Sequence, residues 1–180
     1  MTAINTKNVQ NVAQDIDTQD MDADEAYARF SALVQGTNIN SKTLLATDYL
    51  NHFNEIIMLV DMISDMPECI EDVAAWAPKS YQDHFRDSGF SGKELAVEAY
   101  DYVPAIYLEP FERIISQLNM LILQVAGRLT QAAANNDEAE IVATALFGPE
   151  LRLLVEKAGG VINGDAVGHD QADIDAVLEA

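Results

Sequence analysis

Large apolar side chains recur at intervals of three and four residues through most of the chain, which is the spacing of one face of an α-helix. The clearest run consists of Phe111, Ile114, Ile115, Leu118, Leu121, Ile122, Val125 and Leu129. No segment sustains the apolar–polar alternation of a half-buried β-strand. The spacing therefore predicts an all-α fold.

Helix-breaking residues divide this pattern into elements. We predict two long helices, the first starting at Asn40 and Ser41 and the second carrying Pro110 in its first turn. A third helix is broken at Gly148–Pro149 and ends at Gly159–Gly160, and short helices between the two long ones form a connector. The result is an elongated helical bundle with flexible N- and C-terminal tails. The predicted domains are a flexible acidic arm (1–20), the bundle (21–160), and a linker with a docking peptide (161–180).

The charge balance restricts the choice of partner. Thirty acidic and ten basic residues give a formal net charge of −20, which disfavours nucleic acid and anionic membrane surfaces because both bind through Lys and Arg. The single cysteine, Cys69, suits a reducing compartment. No apolar run is long enough to span a bilayer, and the first residues lack the pattern of a signal peptide. We expect a cytoplasmic protein.

The last thirteen residues, GHDQADIDAVLEA, follow a stretch of turn and linker residues. Ile174, Val177 and Leu178 are spaced i, i+3 and i+4 and would share one face of a short helix. In a groove each side chain would contribute roughly 1.5–3 kcal/mol of burial, less the cost of ordering the segment. The pattern predicts a tethered helix that binds a partner weakly and reversibly.

The segment DQADIDAVL resembles the terminal peptide with which flagellar motor switch proteins and CheZ-type chemotaxis phosphatases bind the response regulator CheY. That family pattern is close to S-Q-A/D-x-I/V-D-x-L-L. The matching residues are Gln171, Ala172, Ile174, Asp175 and Leu178, whereas Asp170 replaces the serine and Val177 takes the first leucine place. The resemblance covers about ten residues. It implies that Ile174, Val177 and Leu178 dock on a CheY-like response regulator, with polar contacts from Gln171 and Asp175.

The same resemblance raises the question of catalysis, because CheZ-type phosphatases insert an Asp and a Gln, one turn apart, from a long helix into the regulator. Here that spacing occurs only at Asp15 and Gln19, in the N-terminal arm. On the predicted long helix, Arg113 stands where the aspartate would precede Gln117. We therefore expect an adaptor or regulator of chemotaxis or flagellar signalling that uses no cofactor. The sequence leaves open whether it also promotes dephosphorylation of the response regulator.

Two other functions fit the sequence. Asp48, His52 and Glu55 are spaced i, i+4 and i+7, which would place them on one helix face as candidate metal ligands of a bundle protein. The chain has no Glu-x-x-His motif, however, and a polar face is the simpler interpretation. The other alternative is a structural assembly subunit. Apolar surface left on the long helices would suit a homodimer, which periodicity alone does not decide.

Aromatic and basic residues are concentrated in the connector between the two predicted long helices. The candidates for a second interaction surface there are Trp76, Lys79, Tyr81, His84, Phe85 and Arg86. Lys79 and Arg86 would suit an acidic partner. The favoured interpretation is structural, with the aromatic rings closing one end of the bundle.

Overall fold

The computed structural model describes residues 22–165, and throughout this range the regular secondary structure is helical. An isolated antiparallel bridge joins Ile39 to Ala46. The α-helices are α1 (Ala23–Leu33), α2 (Asn51–Met62), α3 (Cys69–Ala75), α4 (Tyr81–Asp87), α5 (Lys93–Tyr100), α6 (Ala105–Ala134), α7 (Glu138–Ala145) and α8 (Gly148–Asn163). The predicted all-α class is confirmed.

Helix α6 packs against α3, α7 and α8, while α2 packs against α3 and α8. The residues predicted for its apolar side are buried, apart from the half-buried Leu121. Helices α4 and α5 pack against each other, and the short helices α3 to α5 form the predicted connector. No helix within residues 22–165 combines the length and apolar character needed to cross a membrane.

The second helix is shorter than predicted and does not start at Asn40 and Ser41. The Asn40 carboxamide oxygen accepts hydrogen bonds from the backbone N–H groups of Lys42 and Thr43, at 2.8 and 3.1 Å. It therefore caps a turn in the loop that the Ile39–Ala46 bridge closes. A 3₁₀ turn, Thr47–Leu50, then leads into α2. Asn side chains stabilise turns as readily as helix starts, and spacing alone does not separate the two.

Helix α6 begins earlier than predicted. Its N-cap is Pro104, whose carbonyl accepts from the N–H groups of Tyr107 and Leu108, at 2.8 and 3.0 Å. Pro110 is consequently inside the helix, with its ring buried, and not in the first turn. The missing N–H of Pro110 removes one backbone hydrogen bond, and burial of the ring compensates part of that loss.

The break at Gly148–Pro149 is confirmed, since α7 ends at Ala145 and α8 begins at Gly148. The predicted end at Gly159–Gly160 is wrong: α8 continues through both glycines to Asn163, and the following Val161 and Ile162 are buried in the core. The glycine that ends α8 is Gly164, which adopts the left-handed conformation with φ +79°.

Candidate functional site

The predicted docking residues Gln171, Ala172, Ile174, Asp175, Val177 and Leu178 lie outside the described residues. The structure does describe the point from which that segment continues. At the end of α8, the N–H of Asp165 donates to the carbonyl of Gly160 and the N–H of Gly164 donates to that of Val161, each at 3.0 Å. These two bonds form a Schellman motif, so the helix ends at a defined position.

Side chains from the loop before α2 hold this end of α8. The buried Thr43 hydroxyl donates to the carbonyl of Ile162 at 2.6 Å, and the Lys42 ammonium donates to the carbonyl of Gly164 at 2.8 Å. Lys42 also lies over the ring of Tyr107, with its Nζ 5.5 Å from the ring centroid. A cation at the carbonyl end of a helix is electrostatically favourable. The C-terminal segment thus starts from a firmly held position.

The connector contains the second candidate surface, and the structure separates its six residues by burial. Tyr81 and Phe85, both on α4, are buried in the core. Tyr81 stacks on Tyr100, with ring centroids 4.6 Å apart, and its hydroxyl accepts a hydrogen bond from the N–H of Ala46 at 2.8 Å. Both rings are therefore part of the core and are not available to a partner.

The two cations of the connector are exposed but already have acidic neighbours. Lys79 Nζ lies 2.8 Å from Asp87 Oδ2, and Arg86 Nη1 lies 2.7 Å from Asp83 Oδ1. Exposed pairs of this kind contribute little to stability. They do compensate the local positive charge, which weakens the prediction that Lys79 and Arg86 attract an acidic partner.

An aromatic cluster joins the connector to α2. The His52 imidazole stacks on the Trp76 indole, with ring centroids 5.0 Å apart and 24° between the planes. His84 reaches the same place from α4, with its ring centroid 6.1 Å from that of His52 and 5.5 Å from that of Tyr49. We call His52, Trp76 and His84 the His–Trp cluster; all three are half-buried.

Burial favours the uncharged form of both histidines in the His–Trp cluster. Burial lowers the pKa of His52 below its ordinary value, and the nearby His84 and Lys79 lower it further, against the opposing effects of the Ala77 carbonyl and Glu55. Burial and Lys79 likewise lower the pKa of His84. Within the described part of the chain, His52 Nε2 and Trp76 Nε1 are buried without a hydrogen-bond partner. Because these two nitrogens are buried, they do not offer hydrogen bonds to a partner in this conformation.

The sequence grouped these residues differently. It placed His52 with Asp48 and Glu55 as a metal alternative and assigned Trp76 and His84 to the connector. Asp48 lies in the 3₁₀ turn before α2, Glu55 is exposed, and the His52 ring is engaged with Trp76. Within residues 22–165, the His, Cys, Asp and Glu side chains form no group of three or more that could hold a metal ion. The excess of aromatic residues on both sides of Pro78 was the signal for the cluster.

Gln117 on α6 is the glutamine of the long helix that could take part in dephosphorylation of a regulator. Gln117 is half-buried, and its Oε1 is buried without a hydrogen-bond partner in the described residues. A glutamine that positions an attacking water must project into the partner's active site. In this conformation Gln117 does not. Asp15 and Gln19 lie outside the described residues.

The chain matches no model of a protein family, no curated protein and no solved structure.

Proposed function

We propose that this chain is a cytoplasmic adaptor of chemotaxis or flagellar signalling that binds a CheY-like response regulator through residues 170–180. The observation that carries the proposal is the match of Gln171, Ala172, Ile174, Asp175 and Leu178 to the response-regulator-binding peptide. The helical body supplies the scaffold from which this peptide is presented.

Two features support the proposal, one of the structure and one of the sequence. First, Gly164, Lys42 and Thr43 hold the end of α8 in place, so the residues that follow start from a defined position. Second, the exposed Asp165 is followed by Gly168 and His169 before the matching segment begins. A tether of this composition lets a short peptide reach a groove on another molecule.

The expected binding is weak and reversible. Ile174, Val177 and Leu178 would each contribute roughly 1.5–3 kcal/mol of burial, and the cost of ordering the segment offsets part of this. Weak binding suits a regulator that must exchange quickly between partners, because affinity differences among related complexes arise mainly from dissociation rates.

Promotion of dephosphorylation has less support than binding. The chain does not place an acidic residue one turn before Gln117, and the carboxamide oxygen of Gln117 is buried. The proposed function is therefore recruitment or sequestration of the regulator, for which no reaction by this chain is required.

A titration of the full chain with a purified CheY-like receiver domain, with and without beryllofluoride activation, tests the proposal. Ile174→Ala and Leu178→Ala should each weaken binding by about tenfold or more, since truncation of a docked aliphatic side chain costs roughly 1.5–3 kcal/mol. Glu179→Ala is the matched control, because it changes the same segment outside the matching positions. Equal affinity of the full chain and a chain lacking residues 170–180 contradicts the proposal, and so does the absence of binding to either form of the regulator.

A further inference from the structure

The second half of α6 carries an exposed face without charged side chains. Seven residues, all exposed, make up this neutral face: Ser116, Met120, Leu123, Gln124, Gly127, Thr130 and Gln131. Between residues 114 and 134 the one charged residue is Arg128, and it is engaged with Glu140 of α7. In a chain with a net charge of −20 and 22% charged residues, such a face on the longest helix requires an explanation.

The neutral face has the composition and spacing of a helix-packing surface. Met120 is 59% exposed and Leu123 is 49% exposed, although the opposite side of α6 is buried in the core. Ser116, Met120, Leu123 and Gly127 are spaced by four, three and four residues, which is the spacing of the packed seam between two helices. Large apolar side chains grouped on an exposed helix indicate an interaction surface more often than single exposed ones do.

Gly127 provides an independent observation. Glycine inside a helix is unfavourable relative to alanine, and a Cβ built at Gly127 meets no atom of the described residues within 4 Å. Packing among residues 22–165 therefore does not require glycine here. A glycine on an exposed helix face does permit another backbone or a large side chain to approach closely.

We propose that the neutral face of α6 binds the same face of a second copy of this chain, with the two α6 helices antiparallel. A contact centred between Leu123 and Gln124 places Met120 of each copy opposite Gly127 of the other, and Ser116 opposite Gln131. The protruding methionine then fills the space that the glycine leaves. A two-fold contact repeats this fit twice, which is the property of an isologous interface.

The distribution of charge favours a second copy of this chain as the partner that covers the neutral face. A basic partner would find no carboxylate on the neutral face, and an acidic or basic helix would leave its own charges unpaired against it. Two copies with a charge of −20 each repel over most of their surface, so contact is favourable only where acidic residues are absent. The antiparallel arrangement also places Glu109 and Glu112, at the other end of α6, beyond the region of contact.

Sedimentation equilibrium of the full chain tests the proposal, with a dimer expected at micromolar concentration. Gly127→Met should raise the dissociation constant by about 100-fold or more, because two methionines then compete for one space. The double variant Met120→Ala, Gly127→Met reverses large and small residues at opposing positions and should recover most of the lost affinity. Such recovery is not expected if Gly127 matters only for the stability of its own helix.

Leu146→Glu is the charge control, because Leu146 is 74% exposed at the end of α7 and is not one of the seven residues of the neutral face. It should leave the dissociation constant unchanged, while Leu123→Glu should abolish the dimer. A wild-type chain that stays monomeric up to about 0.5 mM overturns the proposal. Equal effects of Leu123→Glu and Leu146→Glu, or a double variant no better than Gly127→Met, also overturn it. None of these measurements depends on binding of a response regulator.

Discussion

The imidazole of His52 lies flat on the indole of Trp76, with the ring centroids 5.0 Å apart. The stack joins α2 to the segment that leads into α4, and His84 approaches it from α4 itself. Burial has the largest effect in lowering the pKa of His52, and the charges of His84 and Lys79 lower it further. The position of the connector is therefore linked to the protonation of these two rings.

The first prediction concerns the pH dependence of stability. Because the pKa of His52 and of His84 is lower in the folded chain than the ordinary value of 6.5, the unfolded chain binds protons that the folded chain does not. Stability should therefore be complete above about pH 6.5 and decrease as the pH falls below it. Thermal unfolding followed by circular dichroism between pH 7.5 and 5.5 measures this, and Trp76, the single tryptophan, reports the cluster by fluorescence.

The double variant His52→Phe, His84→Phe separates this effect from the titration of other groups. Phenylalanine retains an aromatic ring at each position and removes the titrating nitrogens. We expect the loss of stability below pH 6.5 to become smaller in the variant. An unchanged pH dependence would show that the decrease arises outside the His–Trp cluster.

The second prediction concerns the end of α8. Gly164 and Gly36 have the same φ of +79°, so alanine at either position loses about 1–2 kcal/mol of stability from the left-handed backbone. A Cβ at Gly164 would also lie 3.0 Å from Lys42 Cδ, whereas one at Gly36 meets nothing within 4 Å. Gly164→Ala should therefore lower the free energy of unfolding by about 0.5–1.5 kcal/mol more than Gly36→Ala does, because the hydrogen bond from Lys42 weakens. Denaturant unfolding of both variants measures the difference, and equal losses would contradict the role given to Lys42.

The third prediction concerns the attachment of α7 to α6. Arg128 donates to Glu140 Oε1 from both Nε and Nη2, at 2.9 and 2.7 Å, and its guanidinium lies 5.2 Å from the centroid of the Phe147 ring. Arg128→Met should lower the free energy of unfolding by about 1–2 kcal/mol, because it removes a partly buried ion pair and a cation–π contact.

Arg86→Met is the matched control for this change. Arg86 pairs with Asp83 within one helix, and both side chains are more exposed than those of Arg128 and Glu140. The expected loss is about 0.5 kcal/mol or less. Chemical denaturation provides both values, and similar losses for the two variants would show that the contact between α6 and α7 contributes no more than a surface pair.

The fourth prediction concerns catalysis. Addition of the full chain to a phosphorylated CheY-like regulator should leave its rate of phosphate release unchanged, because the carboxamide oxygen of Gln117 is buried and Arg113 occupies the position one turn before it. Continuous measurement of released phosphate tests this expectation. Acceleration that disappears in Asp15→Ala or Gln19→Ala would instead assign the reaction to the N-terminal arm.

Periodicity predicted the helices well where a long stretch carries one apolar face. The buried side of α6 follows the three- and four-residue spacing from Phe111 to Leu129, and the break at Gly148–Pro149 is found where the sequence places it. Such signals are local, because the backbone preferences of glycine and proline act wherever the chain is.

The predictions that failed depend on contacts between distant residues. Asn40 caps a turn because Ile39 pairs with Ala46 and the loop closes, and α8 passes Gly159 and Gly160 because the residues beyond them pack into the core. The sequence also separated His52 from Trp76 and His84, which are 24 and 32 positions away. Their association requires α2, α4 and the intervening segment to be assembled.

The amino-acid sequence by itself determined the all-α class, the acidic surface and the match of residues 170–178 to a response-regulator-binding peptide, since each depends on composition or on spacing along a few turns. Only the tertiary structure decided which aromatic rings of the connector are buried in the core and which histidine stacks on Trp76. The physical reason is that burial and stacking depend on distances between helices, and these distances are set when all the apolar faces pack together.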